Sequence, residues 1–300
     1  MLKRYLLTPG PTQVPQDVLL RMAEPLIHHR TPEFSQIFGE IQELLKWLFQ
    51  TSQEVLVLSC SGTGAMEAAV VNTCSPGDCV IVVNGGKFGE RWLKICTSLG
   101  LVTKEVKVKW GEAVTADAVA AALQEAPSTK VVFMQASETS TTVLHPVEDI
   151  AALTRDSDTM LVVDGITAVG ATNIPMEKWG IDILITGSQK ALMLPPGLAF
   201  LALSPKAWDR TKIARLPRFY FDLVKERKEQ AKKSPAFTPA IALILGLHKV
   251  LEKIKADIKQ KLYFFGHPSF PQPHQRKAAA IFPPSTVNTA PVVFLSLIPN

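Results

Sequence analysis

The stretch MLVVDGITAVGATNIPMEKWGIDILITGSQK, residues 160–190, decides the fold. It contains two short aliphatic runs, 160–164 and 183–187, each giving way to small or polar residues. A continuous apolar run of this length suits a strand covered on both faces, as in a parallel sheet between helices. Ligands of such sheets bind beyond the carboxyl ends of the strands, and the two runs end there on Asp164 and, three residues past the second, Lys190. A carboxylate ending an apolar run costs desolvation unless a cation meets it; a helix N-cap is the alternative. A lysine on a turn after a buried strand has its ammonium form disfavoured, and the neutral amine attacks aldehydes. A solvated surface lysine is the alternative there.

Working outward, the same alternation recurs. Strands are expected at 55–59, 80–83, 105–109 and 131–135, and helices at 65–73, 90–99, 116–124 and 147–154. Phe34, Ile37, Phe38, Ile41, Leu44, Leu45 and Leu48 follow helical spacing ahead of the first strand. The order predicts an α/β fold with a mostly parallel central sheet flanked by helices. After the first strand comes SCSGTGAMEAA, residues 59–69, whose small residues at a helix N-terminus suit a phosphate. A plain capped turn reads equally well, and the segment is neither a P-loop nor a dinucleotide fingerprint. Phosphate cradle, carboxylate and lysine at the strand ends of one sheet together suit pyridoxal 5'-phosphate.

The chain has 300 residues, enough for one or two domains. Its net charge of +5 is local: residues 205–261 hold 15 Lys/Arg against 6 Asp/Glu, in basic helical segments expected at 222–233 and 240–261. No nucleic-acid reading motif accompanies them, so nucleic acid is not an expected partner. No apolar run reaches membrane-spanning length, and no membrane partner is expected. Cys60, Cys74, Cys79 and Cys96 show neither a C-x-x-C pair nor zinc spacing, so no metal is expected and a reduced, cytoplasmic setting is. Residues 256–300 turn proline-rich and lose the pattern, which predicts a poorly ordered tail.

Several segments carry a more specific signal: LLTPGPTQVP (6–15), HHRTPEF (28–34), SGTGAMEAA (61–69), NGGKFGERW (84–92), SETSTTVLHP (137–146), VVDGITAVG (162–170), GSQKALMLPPG (187–197) and PAFTPA (235–240). Through them the chain resembles the class V, fold-type I pyridoxal-phosphate aminotransferases, in the branch of alanine–glyoxylate and serine–pyruvate aminotransferases, some relatives of which carry a soluble-hydrogenase small-subunit label. The resemblance implies that Lys190 forms the internal aldimine and shuttles the substrate proton, and that Asp164 holds the pyridinium nitrogen protonated. It implies Phe88 on one face of the ring, where relatives often have Trp, and Ile166 on the other, with Thr139 at the ring hydroxyl. Thr63, Gly64, Ala65 and Gln189 would hold the phosphate, and Thr238 would be lent by a partner subunit, making a homodimer with a shared site the expected assembly.

Relatives usually have Gly where Thr142 stands. They also continue into a C-terminal small domain whose arginine grips the substrate carboxylate. Here the similarity fades after Lys255, and Arg276 is not assigned that role. The expected organisation is an N-terminal arm (1–20), a cofactor-binding large domain (21–255) and an atypical tail (256–300), the small domain being missing or incomplete. The expected reaction is amino transfer between alanine or serine and a 2-oxo acid such as glyoxylate or pyruvate. An inactive large domain acting only in dimerisation is one alternative. A lyase or desulfurase of the same fold is another, although none of the four cysteines lies on an obvious C-terminal loop.

Overall fold

The computed structural model describes residues 6–265, and of residues 258–265 only the backbone. The chain opens with α1 (Gln16–Met22), α2 (Pro32–Phe49), β1 (Val55–Leu58), α3 (Gly62–Thr73), β2 (Cys79–Asn84), α4 (Lys87–Ser98) and β3 (Val102–Lys107). It continues with α5 (Ala116–Glu125), β4 (Val131–Gln135), a small hairpin of β5 (Ser137–Glu138) and β6 (Val143–Leu144), and α6 (Val147–Thr154). Then come β7 (Met160–Asp164), α7 (Met176–Trp179), β8 (Ile183–Gly187), β9 (Ala199–Leu203), α8 (Pro205–Thr211), α9 (Leu223–Gln230) and α10 (Ile241–Phe265).

Seven strands form one sheet in the order β1-β9-β8-β7-β4-β2-β3. The contacts β8·β7, β7·β4, β4·β2 and β2·β3 are parallel, and β9 runs antiparallel to both its neighbours. The expected α/β fold with a mostly parallel sheet is therefore what forms. The carboxyl ends of β1, β2, β4, β7 and β8 share one edge, and the residues after them are brought together there.

Side-chain parity along each strand divides the interior into two cores. Val132 and Met134 of β4 and Leu161 and Val163 of β7 pack with α2, α5, α6 and α10, helices whose buried faces include Phe34, Phe38, Val119, Ile150 and Leu247. Val131, Phe133, Met160 and Val162 face the opposite way, onto Ala65, Met66 and Ala69 of α3, Trp92 of α4 and Trp208 of α8. Strands covered by a layer on each face bury residues of both parities, and β4, β7 and β8 accordingly have no exposed residue.

Some boundaries differ from expectation. The helix expected at 90–99 starts three residues earlier, because its first turn is capped from a distance. Glu138 Oε2 accepts from Phe88 N and Gly89 N at 3.1 Å each, while the local N-cap residue, Gly86, has no side chain to offer. The strand expected at 105–109 is shifted to Val102–Lys107; as an edge strand paired only with β2, it takes its register from the Cys79↔Val102 contact. The run Ala199–Leu203 is an additional strand, returned antiparallel by the short connection after β8. The basic segments form α9 and α10, and residue 255 falls inside α10. The last residues of the expected N-terminal arm (1–20) lie in α1, which is joined to α10 by Lys253 Nζ and Asp17 Oδ2 at 3.2 Å. Residues 266–300, including Arg276, lie outside the described residues. Among the described residues no helix is long and apolar enough to cross a membrane.

The β5–β6 hairpin turns through Thr142, whose φ of 60° is a left-handed conformation that its Cβ disfavours. Thr142 is exposed, so little packing is lost by removing its side chain. Thr142→Gly is expected to stabilise the fold by about 1 kcal/mol in denaturant unfolding. A variant less stable than the parent contradicts the strain at this turn.

Candidate active site

The site gathers where β7 and β8 end side by side. Asp164 is the last residue of β7 and is buried; its Oδ1 accepts from Ile166 N at 2.8 Å. Among the described residues it makes no ion pair. Burial raises its carboxyl from the ordinary range to about 7, opposed in part by the Ile166 N–H and by the charges of Arg91 and Lys190, while the carboxylate of Glu138 adds to the rise.

Lys190 follows β8 by three residues on a turn that is pinned from several sides. Ser188 Oγ donates to Pro195 O at 2.7 Å, Leu198 N donates to Ser188 Oγ at 3.3 Å, and Met193 N donates to Lys190 O at 2.9 Å. The N-terminal loop closes over the turn: Thr12 N donates to Gln189 O at 3.0 Å and Thr12 Oγ1 to Lys190 O at 2.8 Å. Lys190 is buried, and its Nζ donates to Pro9 O at 3.0 Å. Gly10 passes so close that a Cβ there would stand 2.5 Å from Lys190 Cδ, and its φ of 149° further restricts the position to glycine. Desolvation lowers the ammonium's pKa, with the charge of Asp164 acting in the opposite direction.

The loop after β1 leads into α3. Gly64 N and Ala65 N already donate to Ser61 O, at 2.9 and 3.3 Å. Among the described residues the N–H groups left open at this helix start are those of Gly62 and Thr63, so of the expected Thr63, Gly64 and Ala65 only Thr63 keeps a free backbone donor, and Gly62 joins it. Ile166 packs directly on this turn: a Cβ on Gly62 would lie 2.4 Å from Ile166 Cδ1. Thr139 Oγ1 shares a hydrogen bond with Thr167 Oγ1, tying the β5–β6 hairpin to the loop after Asp164. Phe88 stands half-buried in the first turn of α4. Among the described residues, Gln189 Oε1 is buried without a hydrogen-bond partner, and so are both side-chain amide atoms of Gln135, which pairs with Asp164 across β4 and β7.

Thr238 is placed differently. It is exposed, on a groove lined with Ser59, Tyr220, Glu226, Pro235 and Phe237. Two residues of the site went unread in the sequence. Arg91 lies three positions after Phe88 on α4, the spacing that brings side chains onto one helix face, and could have been found that way. Glu138, fully buried, also accepts from Ser140 N and Ser140 Oγ at 3.1 and 2.6 Å; only the folded hairpin reveals its role as a cap.

These residues fit pyridoxal phosphate. A buried carboxylate without an ion pair suits a protonated ring nitrogen, a desolvated amine suits an aldehyde, and open N–H groups at a helix start suit a phosphate. Among the described residues no group of three or more His, Cys, Asp or Glu could hold a metal. Burial disfavours the thiolate form of three of the four cysteines, pushing the Cys60 and Cys74 thiols up to about 12 and that of Cys96 upward as well.

The profile of the family described as Aminotransferase class-V matches residues 4–261. "Soluble hydrogenase, small subunit" from Synechococcus sp. (strain PCC 6716) is 43% identical over 278 residues, covering 91% of this chain and 70% of that protein. "L-aspartate--glyoxylate aminotransferase" from Paracoccus denitrificans (strain Pd 1222) is 37% identical over 267 residues, covering 86% of this chain and 67% of that protein. Among solved structures, an alanine–glyoxylate aminotransferase from Nostoc sp. matches with a TM-score of 0.82 at 30% identity, covering 86% of this chain and 69% of that one.

The buried carboxyl has a thermodynamic consequence. Between pH 4 and 7 the folded chain retains a proton on Asp164 that the unfolded chain has released, so this group makes stability fall as pH rises through that window. At about 1.4 kcal/mol per pKa unit, the loss is on the order of 4 kcal/mol. Asp164→Asn, unfolded in denaturant without cofactor at pH 4 and pH 8, is expected to lose markedly less stability across that interval than the parent. An equal decline in both contradicts a carboxyl raised by burial.

Proposed function

The chain belongs to the class V aminotransferases, and from that premise we propose that it binds pyridoxal phosphate and passes an amino group between a small amino acid and glyoxylate or a similar 2-oxo acid. The observation that carries this reading is the pairing of a buried carboxylate and a buried amine, Asp164 and Lys190, at the ends of two neighbouring parallel strands. When bound, the cofactor supplies an aldehyde for amines and a protonated ring that draws electrons from the substrate's α-carbon.

The chain's own residues supply the rest. Asp164, as a carboxylate, holds the proton on the ring nitrogen, and a cation there offsets the burial that otherwise keeps its carboxyl protonated. Phe88 and Ile166 would hold the ring, and Thr139 would meet its hydroxyl. Gly62 and Thr63, with Gln189, hold the phosphate. Lys190 Nζ would, as a neutral amine, take a proton from the substrate α-carbon and return it to the carbon that had been the cofactor's aldehyde, a role its desolvation favours. The loop of residues 8–12 keeps water from Nζ, with Pro9 O as its resting partner.

Substrate choice follows the relatives. Two of their names differ in the amino donor, aspartate or alanine, and share glyoxylate as partner, so glyoxylate is the acceptor proposed. Alanine or serine is the donor proposed. The exposed position of Thr238 supports the expected homodimer, in which each copy lends this residue to the other's phosphate. A cytoplasmic setting is proposed on the four free cysteines.

Purified chain incubated with pyridoxal phosphate is expected to develop a visible absorption band that borohydride abolishes, leaving the reduced cofactor on Lys190 by peptide mass. With alanine and glyoxylate it is expected to form pyruvate and glycine, and Lys190→Ala should lower that rate by at least about a hundredfold. Modification at another lysine contradicts the assignment. Modification at Lys190 without transfer from alanine or serine supports the cofactor site and refutes the transaminase activity.

A further inference from the structure

Arg91 stands among residues assigned to three different parts of the cofactor. Its guanidinium carbon lies 4.7 Å from the centre of the Phe88 ring, and its Nη1 donates to Thr63 Oγ1 at 3.1 Å. Its positive charge also acts on Asp164. Among the described residues no carboxylate forms an ion pair with Arg91, so neutral partners hold a half-buried charge in place. The helix that carries it cannot easily slide, because Glu138 grips the N–H groups of Phe88 and Gly89.

The direction of the hydrogen bond to Thr63 matters. Arginine has donors only, so Thr63 Oγ1 accepts from it, and the hydroxyl's own hydrogen is left to point elsewhere. The Thr63 hydroxyl belongs to the first turn of α3, with the open N–H groups of Gly62 and Thr63, where an anion would be received. An arginine meets both demands through its planar fork, which lies flat on an aromatic ring while a nitrogen at its edge donates. A lysine at this place keeps the charge and loses the stacking.

We propose that Arg91 is a positioning residue for the phosphate end of the cofactor: it turns the Thr63 hydroxyl into a committed donor and locks that donor to the Phe88 wall of the ring. The proposal rests on the reading of the site as a pyridoxal-phosphate site. It assigns to Arg91 an effect on phosphate recognition in particular, beyond general packing of α4.

The test compares pyridoxal phosphate with pyridoxal, which has the same ring and aldehyde and no phosphate. Affinities for both are measured by absorbance titration for the parent, Arg91→Gln and Arg91→Lys, alongside the melting temperature of each. Arg91→Gln is expected to weaken pyridoxal phosphate binding tenfold or more and to leave pyridoxal binding within about threefold, with Arg91→Lys falling between. Thr63→Val is expected to reproduce the loss, and Arg91→Gln added to it should cost little more. If Arg91→Gln does not fold, Arg91→Lys carries the test, and its ratio of the two affinities must fall. Equal weakening of both compounds, or an unchanged ratio, overturns the role of Arg91 while leaving the cofactor site standing. A parent chain that takes up neither compound overturns the reading of the site and this proposal with it.

Discussion

A carboxylate buried at the end of β7 without an ion pair is the constraint on which the site depends. Asp164 receives the Ile166 N–H and the more distant fields of Arg91 and Lys190, and these do not outweigh the loss of water around it. The fold by itself leaves that group more comfortable protonated. A cation brought to Asp164 removes the penalty, so part of the binding energy for a protonated ring is already stored in the sheet. The same burial acts on Lys190 in the complementary sense, favouring the neutral amine that carbonyl chemistry requires.

Everything around this pair serves to hold it in place and dry. The two-sided sheet fixes the ends of β7 and β8 in register, with Asp164 opposite Ile185 and Gly187 opposite Ala199. Glycines appear where backbone must come close: Gly62 makes room for Ile166, and Gly10 for the Lys190 side chain. The N-terminal loop, far from Lys190 in sequence, is joined to its turn by hydrogen bonds from Thr12 N and Oγ1 and by one from Lys190 Nζ to Pro9 O. Glu138 and Arg91 join the hairpin, α4 and α3 into one wall, so the ring face and the phosphate end are set together.

How much was legible in the sequence varies with how local the determining forces are. The runs of β4, β7 and β8 and the helix α6 match their expected bounds residue for residue, because continuous burial or a strong local period marks them. The start of α4 was hidden, since its cap comes from Glu138 fifty positions along the chain. The edge strand β3 was misplaced because its one buried residue, Val106, provides little pattern. Asp164 and Lys190 stood out as polar residues at the ends of apolar runs. Arg91 did not, because its meaning lies in the hydrogen bond to Thr63 and the stacking on Phe88 that the fold creates. The open donors of the cradle were displaced for a similar reason: which N–H groups of a helix start remain free depends on where its first turn closes, here on Ser61 O.

The central claim is tested most directly by a crystal structure of the chain grown with pyridoxal phosphate. The account predicts density continuous with Lys190 Nζ, a ring nitrogen within hydrogen-bond distance of the Asp164 carboxylate, and a phosphate at the N–H groups of Gly62 and Thr63. Density joined to another lysine, or a ring nitrogen turned away from Asp164, would contradict it.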